Sequence, residues 1–235
     1  MPTKAKFYIG ITVALGLALL VGSLTWFGQF PDPARYLACF ALACIASTMK
    51  VRLPGLRGTI SVNFVFILMG IAQLSLPETL TMSFAAALVQ CVWRPKNRPK
   101  LVQVLFSACA LVISTAATYA TAHAISGEAN MVLALVPAAT VFFTLNTGMV
   151  SLVIALVSNA PLSTVWKQCQ LWTLPYYLVG AAIAGVVAAF SQTAGWRVSL
   201  LPLPLMYLVY TYYFCYVLTW AERAQGTDFR DPVSR

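Results

Sequence analysis

RPKNRPKLVQVLFSACALVISTAATYATAHA, residues 94–124, decides the fold of this chain. It opens on Arg94, Lys96, Arg98 and Lys100 and then runs from Leu101 to Ala124 without one Lys, Arg, Asp or Glu. At about 1.5 Å per residue that run makes a helix of roughly 36 Å, longer than the roughly 30 Å hydrocarbon layer of a bilayer. An uncharged apolar stretch of this length reads as a membrane-spanning helix, and the basic cluster before it as a loop at a membrane face.

The same punctuation recurs along the chain. About eight apolar segments can be drawn: Phe7 to Gly28, Ala34 to Met49, Thr59 to Leu76, Glu78 to Trp93, Leu101 to Ala124, Pro137 to Val157, Trp172 to Gln192 and Val198 to Ala221. The second and fourth, at roughly 24 Å of helix, are short for a bilayer of about 30 Å and are expected to sit against neighbours. The loops between them alternate in charge. Lys4 and Lys6 precede the first; Lys50, Arg52 and Arg57 follow the second; Arg94 to Lys100 follow the fourth; Lys167 follows the sixth; Arg223, Arg230 and Arg235 follow the last. Of the 15 Lys and Arg residues, only Arg35 and Arg197 fall in the other loops. By the positive-inside rule both termini are expected in the cytoplasm.

Composition agrees with an all-α, polytopic integral membrane helical bundle. Of the 235 residues, 60% are hydrophobic and 9% charged, with mean hydropathy +0.80, outside the soluble range. Residues 1–221 read as a single transmembrane helical domain and residues 222–235 as a short polar cytoplasmic tail. The expected location is the bacterial inner membrane, with the lipid bilayer as first partner. The net charge of +9 sits in short loops at one face, where anionic headgroups and topology account for it. Nucleic acid is not expected as a partner, because no basic domain is present to carry it. The start resembles a signal peptide in its basic residues. Its long apolar run ends in Trp26 and Phe27 without a small-residue cleavage site, so a retained first helix is expected.

Trp26, Tyr36, Tyr119 and Trp196 fall at expected outer ends, and Trp93, Trp166, Trp172, Tyr176, Tyr177 and Trp220 at inner ends, the two belts that interfacial aromatics make. In the seventh segment Ala181, Gly185 and Ala189 recur every fourth residue beside Gly180, Ala184 and Ala188. Such a face lets helices approach closely, within the chain or across a homo-oligomer.

The sequence gives little chemistry. None of the six cysteines stands in a C-x-x-C pair, and buried thiols behave as small hydrophobes, so neither disulfide nor metal is expected. His123, the single histidine, lies near an outer end; Asp32, Glu78 and Glu128 are assigned to outer loops. No Asp, Glu, Lys or Arg falls in mid-span, where proton relays and coupled carriers place theirs. No zincin, nucleophile-elbow or Walker pattern is present. No catalytic residue, cofactor or metal is therefore assigned, and enzymatic activity is not expected.

Neutral polar residues remain. Asn63 lies about 6 Å into the third helix from its inner end. Gln90, Gln103 and Ser107 lie near inner ends too, Tyr176 and Tyr177 open the seventh helix, and Asn146 is nearer the midplane of the sixth beside Thr144 and Thr147. One reading is interhelical hydrogen bonding, worth about 0.6 kcal/mol per bond. The sharper one is a small cytoplasm-facing ligand pocket bordered by Asn63, Gln103, Asn146 and Tyr176.

The stretch VRLPGLRGTISVNFVFILMGIAQLSLPETLTMSFAAALVQ, Val51 to Gln90, adds a family likeness. Its Leu-Pro-Gly turn, its Ser-Val-Asn-Phe helix start and its Pro-Glu helix ending in Leu-Val-Gln resemble multi-helix bacterial membrane sensor domains of the MASE type. Gln103 to Phe106, Phe143 to Val150 and Trp166 to Gly180 extend the resemblance. Such domains stand ahead of diguanylate cyclase (GGDEF), HD-type phosphodiesterase or histidine kinase domains. The resemblance implies a signal-input role, with the eighth helix passing a conformational change to a cytoplasmic output. Only AERAQGTDFRDPVSR follows Trp220, so the module is expected to stand alone or to couple to a separate cytoplasmic signalling protein, unless an output domain has been lost or omitted. A small-solute permease, or the substrate-binding membrane subunit of a transporter, is the alternative expectation.

Overall fold

The structure is a computed structural model and describes residues 2–28, 30–52, 59–94, 98–126, 131–169, 174–204, 207–208 and 211. Among these residues the chain is helical apart from one short hairpin. Its elements are α1 (Thr3–Phe27), α2 (Pro33–Thr48), β1 (Lys50–Arg52), β2 (Thr59–Ser61), α3 (Asn63–Gln73), α4 (Leu76–Val92), α5 (Leu101–Ser126), α6 (Met131–Ser158), α7 (Leu162–Cys169) and α8 (Leu174–Ala194), followed by a 3-10 turn, Trp196–Leu200.

The architecture is a bundle built around α3. This helix reads NFVFILMGIAQ, apolar on all sides, and a helix of that kind must be enclosed. Every residue from Asn63 to Ile71 is buried, with α2, α4, α5, α6 and α8 packed around it. Outside that core α5 links α4, α6 and α1. A Cβ on Gly16 would lie 2.5 Å from the Cβ of Cys109 and 2.8 Å from its Cα, so α1 meets α5 nearly backbone to backbone, as small residues permit in membrane bundles.

Among the described residues, four helices are long and apolar enough to cross a membrane: α1, α5, α6 and the Tyr177–Ala194 part of α8. Their outward faces are apolar as well; on α1, Phe7, Ile11, Leu15, Val21 and Leu24 are exposed. Contiguous exposed apolar surface of this kind is foreign to soluble monomers. Buried Ser114, Thr115 and Thr118 donate to main-chain oxygens one turn back, at 2.9, 2.8 and 2.6 Å. Polar side chains satisfied within their own helix need no water.

The helices α1, α2, α4, α5 and α8 lie close to where the sequence put them; three segments differ. The third was drawn from Thr59, but Thr59–Ser61 pairs antiparallel with Lys50–Arg52 and the helix starts only at Asn63. The sixth was drawn from Pro137, whose ring suits a helix start; α6 begins at Met131 and carries Pro137 inside it. The segment around Lys167, read as a loop, holds the short amphipathic α7, whose polar-apolar alternation is too brief to register as a span. The shorter apolar helices α2, α3 and α4 have 16, 11 and 17 residues. The eighth segment starts in the 3-10 turn, and most of its remainder, with the tail 222–235, lies outside the described residues.

Candidate functional site

Polar side chains gather at both ends of α3. At the end reached from the basic loops, the Asn63 Nδ2 donates to Gln90 Oε1 of α4 at 3.2 Å, and Asn63 is buried. Its neighbour Phe64 stacks against Tyr177 of α8 with ring centroids 4.4 Å apart, and against Phe142 of α6 at 4.9 Å. Phe143 meets the same tyrosine edge-on at 5.3 Å. Tyr177 also hydrogen-bonds the side chain of Asn146. Thr144 and Thr147 bond the main-chain oxygens of Thr140 and Phe143, which leaves Asn146 as the polar group that reaches α8. One node thus joins α3, α4, α6 and α8. A Cβ on Gly180 would stand 3.0 Å from the Phe64 ring, so the small residue is what lets α8 close on α3.

The structure brings Asn63 and Asn146 to this node and does not bring Gln103. That residue is exposed, and its Oε1 accepts from the Lys100 main-chain N–H at 3.0 Å, at the start of its own helix. Tyr176 belongs to α8, but its side chain lies outside the described residues. The tyrosine seen at the node is Tyr177, which the sequence had placed in the interfacial belt.

The opposite end of α3 carries a cluster that the sequence did not assemble. Asp32 caps α2, its Oδ1 accepting from the Arg35 N–H at 3.1 Å, with Pro33 at the first helical position, a combination that defines a helix start. The Arg35 guanidinium reaches across to α3 and donates to Gln73 Oε1 at 3.2 Å. Ser199 Oγ, from the 3-10 turn, donates to the same oxygen at 3.0 Å. Ser75 and Glu78 form a capping box at the start of α4: the Ser75 N–H donates to Glu78 Oε2 at 2.8 Å and the Ser75 side chain accepts from the Glu78 main-chain N–H, while the Ser75 hydroxyl also donates to Oε2 at 2.8 Å. Arg35, Glu78 and Asp32 all lie within electrostatic reach of the Cys39 thiol.

Glu78, assigned to an outer loop from sequence, is buried in the first turn of α4 at 2% exposure. The capping role requires it to fold back over Ser75, and the neighbouring helices then cover it. Among the described residues, five buried side-chain N or O atoms lack a hydrogen-bond partner, and three belong here: Arg35 Nε, Gln73 Nε2 and Glu78 Oε1. An unpartnered buried group costs about 1–3 kcal/mol, so the cluster carries an expense that the Tyr177 node does not. His123 sits nearby, exposed, its ring 4.0 Å from Tyr119 and its Nε2 3.3 Å from the Ile71 main-chain oxygen. No group of His, Cys, Asp and Glu among the described residues has a metal-holding arrangement.

Comparison with protein-family models, with curated proteins and with solved structures finds no match for this chain.

Proposed function

We propose that this chain is a multi-pass protein of the bacterial inner membrane, threaded about eight times with both termini in the cytoplasm, and that it works as a sensory or signal-input module. Its first partner is the lipid bilayer; its second is a cytoplasmic signalling protein that supplies the output. The alternating basic loops and the outward apolar faces support the membrane part of the reading.

The observation that carries the signalling part is Tyr177. It stands in the first turns of α8, holds rings from α3 and α6, and hydrogen-bonds Asn146. A ligand or membrane state that displaces Asn63 or Asn146 is therefore felt by α8, the helix that leads toward the last segment and the tail. Purification of the full chain from its native membrane tests this. A co-purifying cyclase, phosphodiesterase or kinase whose activity changes in Asn63→Leu and Asn146→Leu variants is the expected result. Retained folding with unaltered partner activity counts against the node, and solute flux into proteoliposomes by the chain alone overturns the sensor reading. A C-terminal tag labelled from outside the cell by an impermeant reagent overturns the threading.

A second reading, a small-solute permease or the substrate-binding subunit of a transporter, is favoured by α3 itself. It is short, enclosed, and bears an amide at each end (Asn63 and Gln73), as the interrupted helices of transporters bear their binding groups. A co-purifying ATPase is the outcome that favours it.

A further inference from the structure

We infer that the end of the bundle formed by the start of α2, the close of α3 and the start of α4 is a binding site for a small α-amino-acid zwitterion. Three atoms carry the assignment. Arg35 Nε and Gln73 Nε2 are donors, Glu78 Oε1 is an acceptor, and all three are buried without a partner. Buried polar groups are almost always satisfied, so each orphan calls for an explanation.

These orphans are complementary to one chemistry. A carboxylate accepts from the two donors, and an ammonium donates to the Glu78 oxygen. The rest of the cluster fixes their directions. Gln73 Oε1 is held by the Arg35 guanidinium at 3.2 Å and by Ser199 at 3.0 Å, so its amide nitrogen points away from both. Glu78 Oε2 is committed to Ser75 at 2.8 Å, which leaves Oε1 as the free lone-pair edge. Asp32 is engaged in capping α2.

Charge supports the choice. One guanidinium, Arg35, and two carboxylates, Glu78 and Asp32, all act on the Cys39 thiol, so the site favours a ligand that brings its own positive group with its negative one over a simple anion. Arg35 and Gln73 are half-buried as residues, so parts of both side chains reach solvent although the three unpartnered atoms do not. The assignment holds whether the chain signals or transports, because it concerns binding alone.

The test is thermal unfolding of the full chain in lipid nanodiscs, with the standard α-amino acids supplied one at a time. At least one is expected to raise the midpoint, while its methyl ester, lacking the carboxylate, and its N-acetyl derivative, lacking the ammonium, do not. Gln73→Leu and Glu78→Gln are each expected to weaken that amino acid by about tenfold or more, the loss of one charge-assisted contact. Glu78→Gln keeps shape and one cap oxygen, so it reads out where Gln73→Leu fails to fold. The inference is overturned if no amino acid shifts the wild-type midpoint, if ester or N-acetyl forms act as well as the parent, or if Glu78→Gln binds unchanged. Failure here leaves the Tyr177 node intact, since that node is tested by partner activity.

Discussion

The two ends of α3 solve the same problem in opposite ways. At one end Asn63, Gln90, Asn146 and Tyr177 are neutral and pair among themselves, wrapped in Phe64, Phe142 and Phe143. At the other, Arg35, Gln73 and Glu78 include charges and keep three buried atoms unpartnered. Paired neutral groups stabilise and specify a helix arrangement; unpaired ones do not, and their persistence points to a task other than stability. The first end is a joint and the second a receptacle.

Five substitutions test that division. The largest effect is expected from Tyr177→Ala, which removes a ring contacting two helices and should cost about 3–5 kcal/mol. Tyr177→Phe keeps the ring and loses only the hydrogen bond to Asn146, for about 0.6 kcal/mol. Equilibrium unfolding in mixed micelles separates the two, and a Phe variant as unstable as the Ala variant would break the claim that ring packing dominates. Gly180→Leu comes next, at about 1–3 kcal/mol, because a Cβ added there would stand only 3.0 Å from Phe64; it should also loosen α8 in hydrogen exchange.

At the receptacle, Glu78→Ala deletes the capping box and should lower stability by about 1 kcal/mol. Glu78→Gln, by contrast, preserves the cap and removes an oxygen that bonds nothing in the free protein. A change within about 0.5 kcal/mol is expected. A large loss in that variant would show that Oε1 is engaged in the free protein and would erase the contrast between the ends.

Position along a helix was legible in the sequence, and azimuth was not. Counting residues placed Asn63, Gln103 and Asn146 toward one face, but Gln103 points outward and bonds its own helix start, because residue number fixes depth and not direction around the axis. The receptacle was harder still. Arg35, Gln73 and Ser199 each read as an ordinary polar residue near a helix end, and only packing of α2, α3 and the 3-10 turn brings them to one oxygen. The start of α3 was hidden because Thr59–Ser61 carries no charge or proline to mark a boundary, and strand pairing across β1 and β2 leaves no periodic trace in three residues. Long runs such as Leu101 to Ala124 were unambiguous, since nothing competes with a helix there.

The central rod has eleven residues and is jacketed along its length by five neighbours. It is gripped at its tips, by Gln90 below and by Arg35 with Ser199 above. Such a part has no room to bend. A load applied to either tip is delivered to the other as a shift of the whole piece, over about 15 Å, with no need for a flexible hinge between.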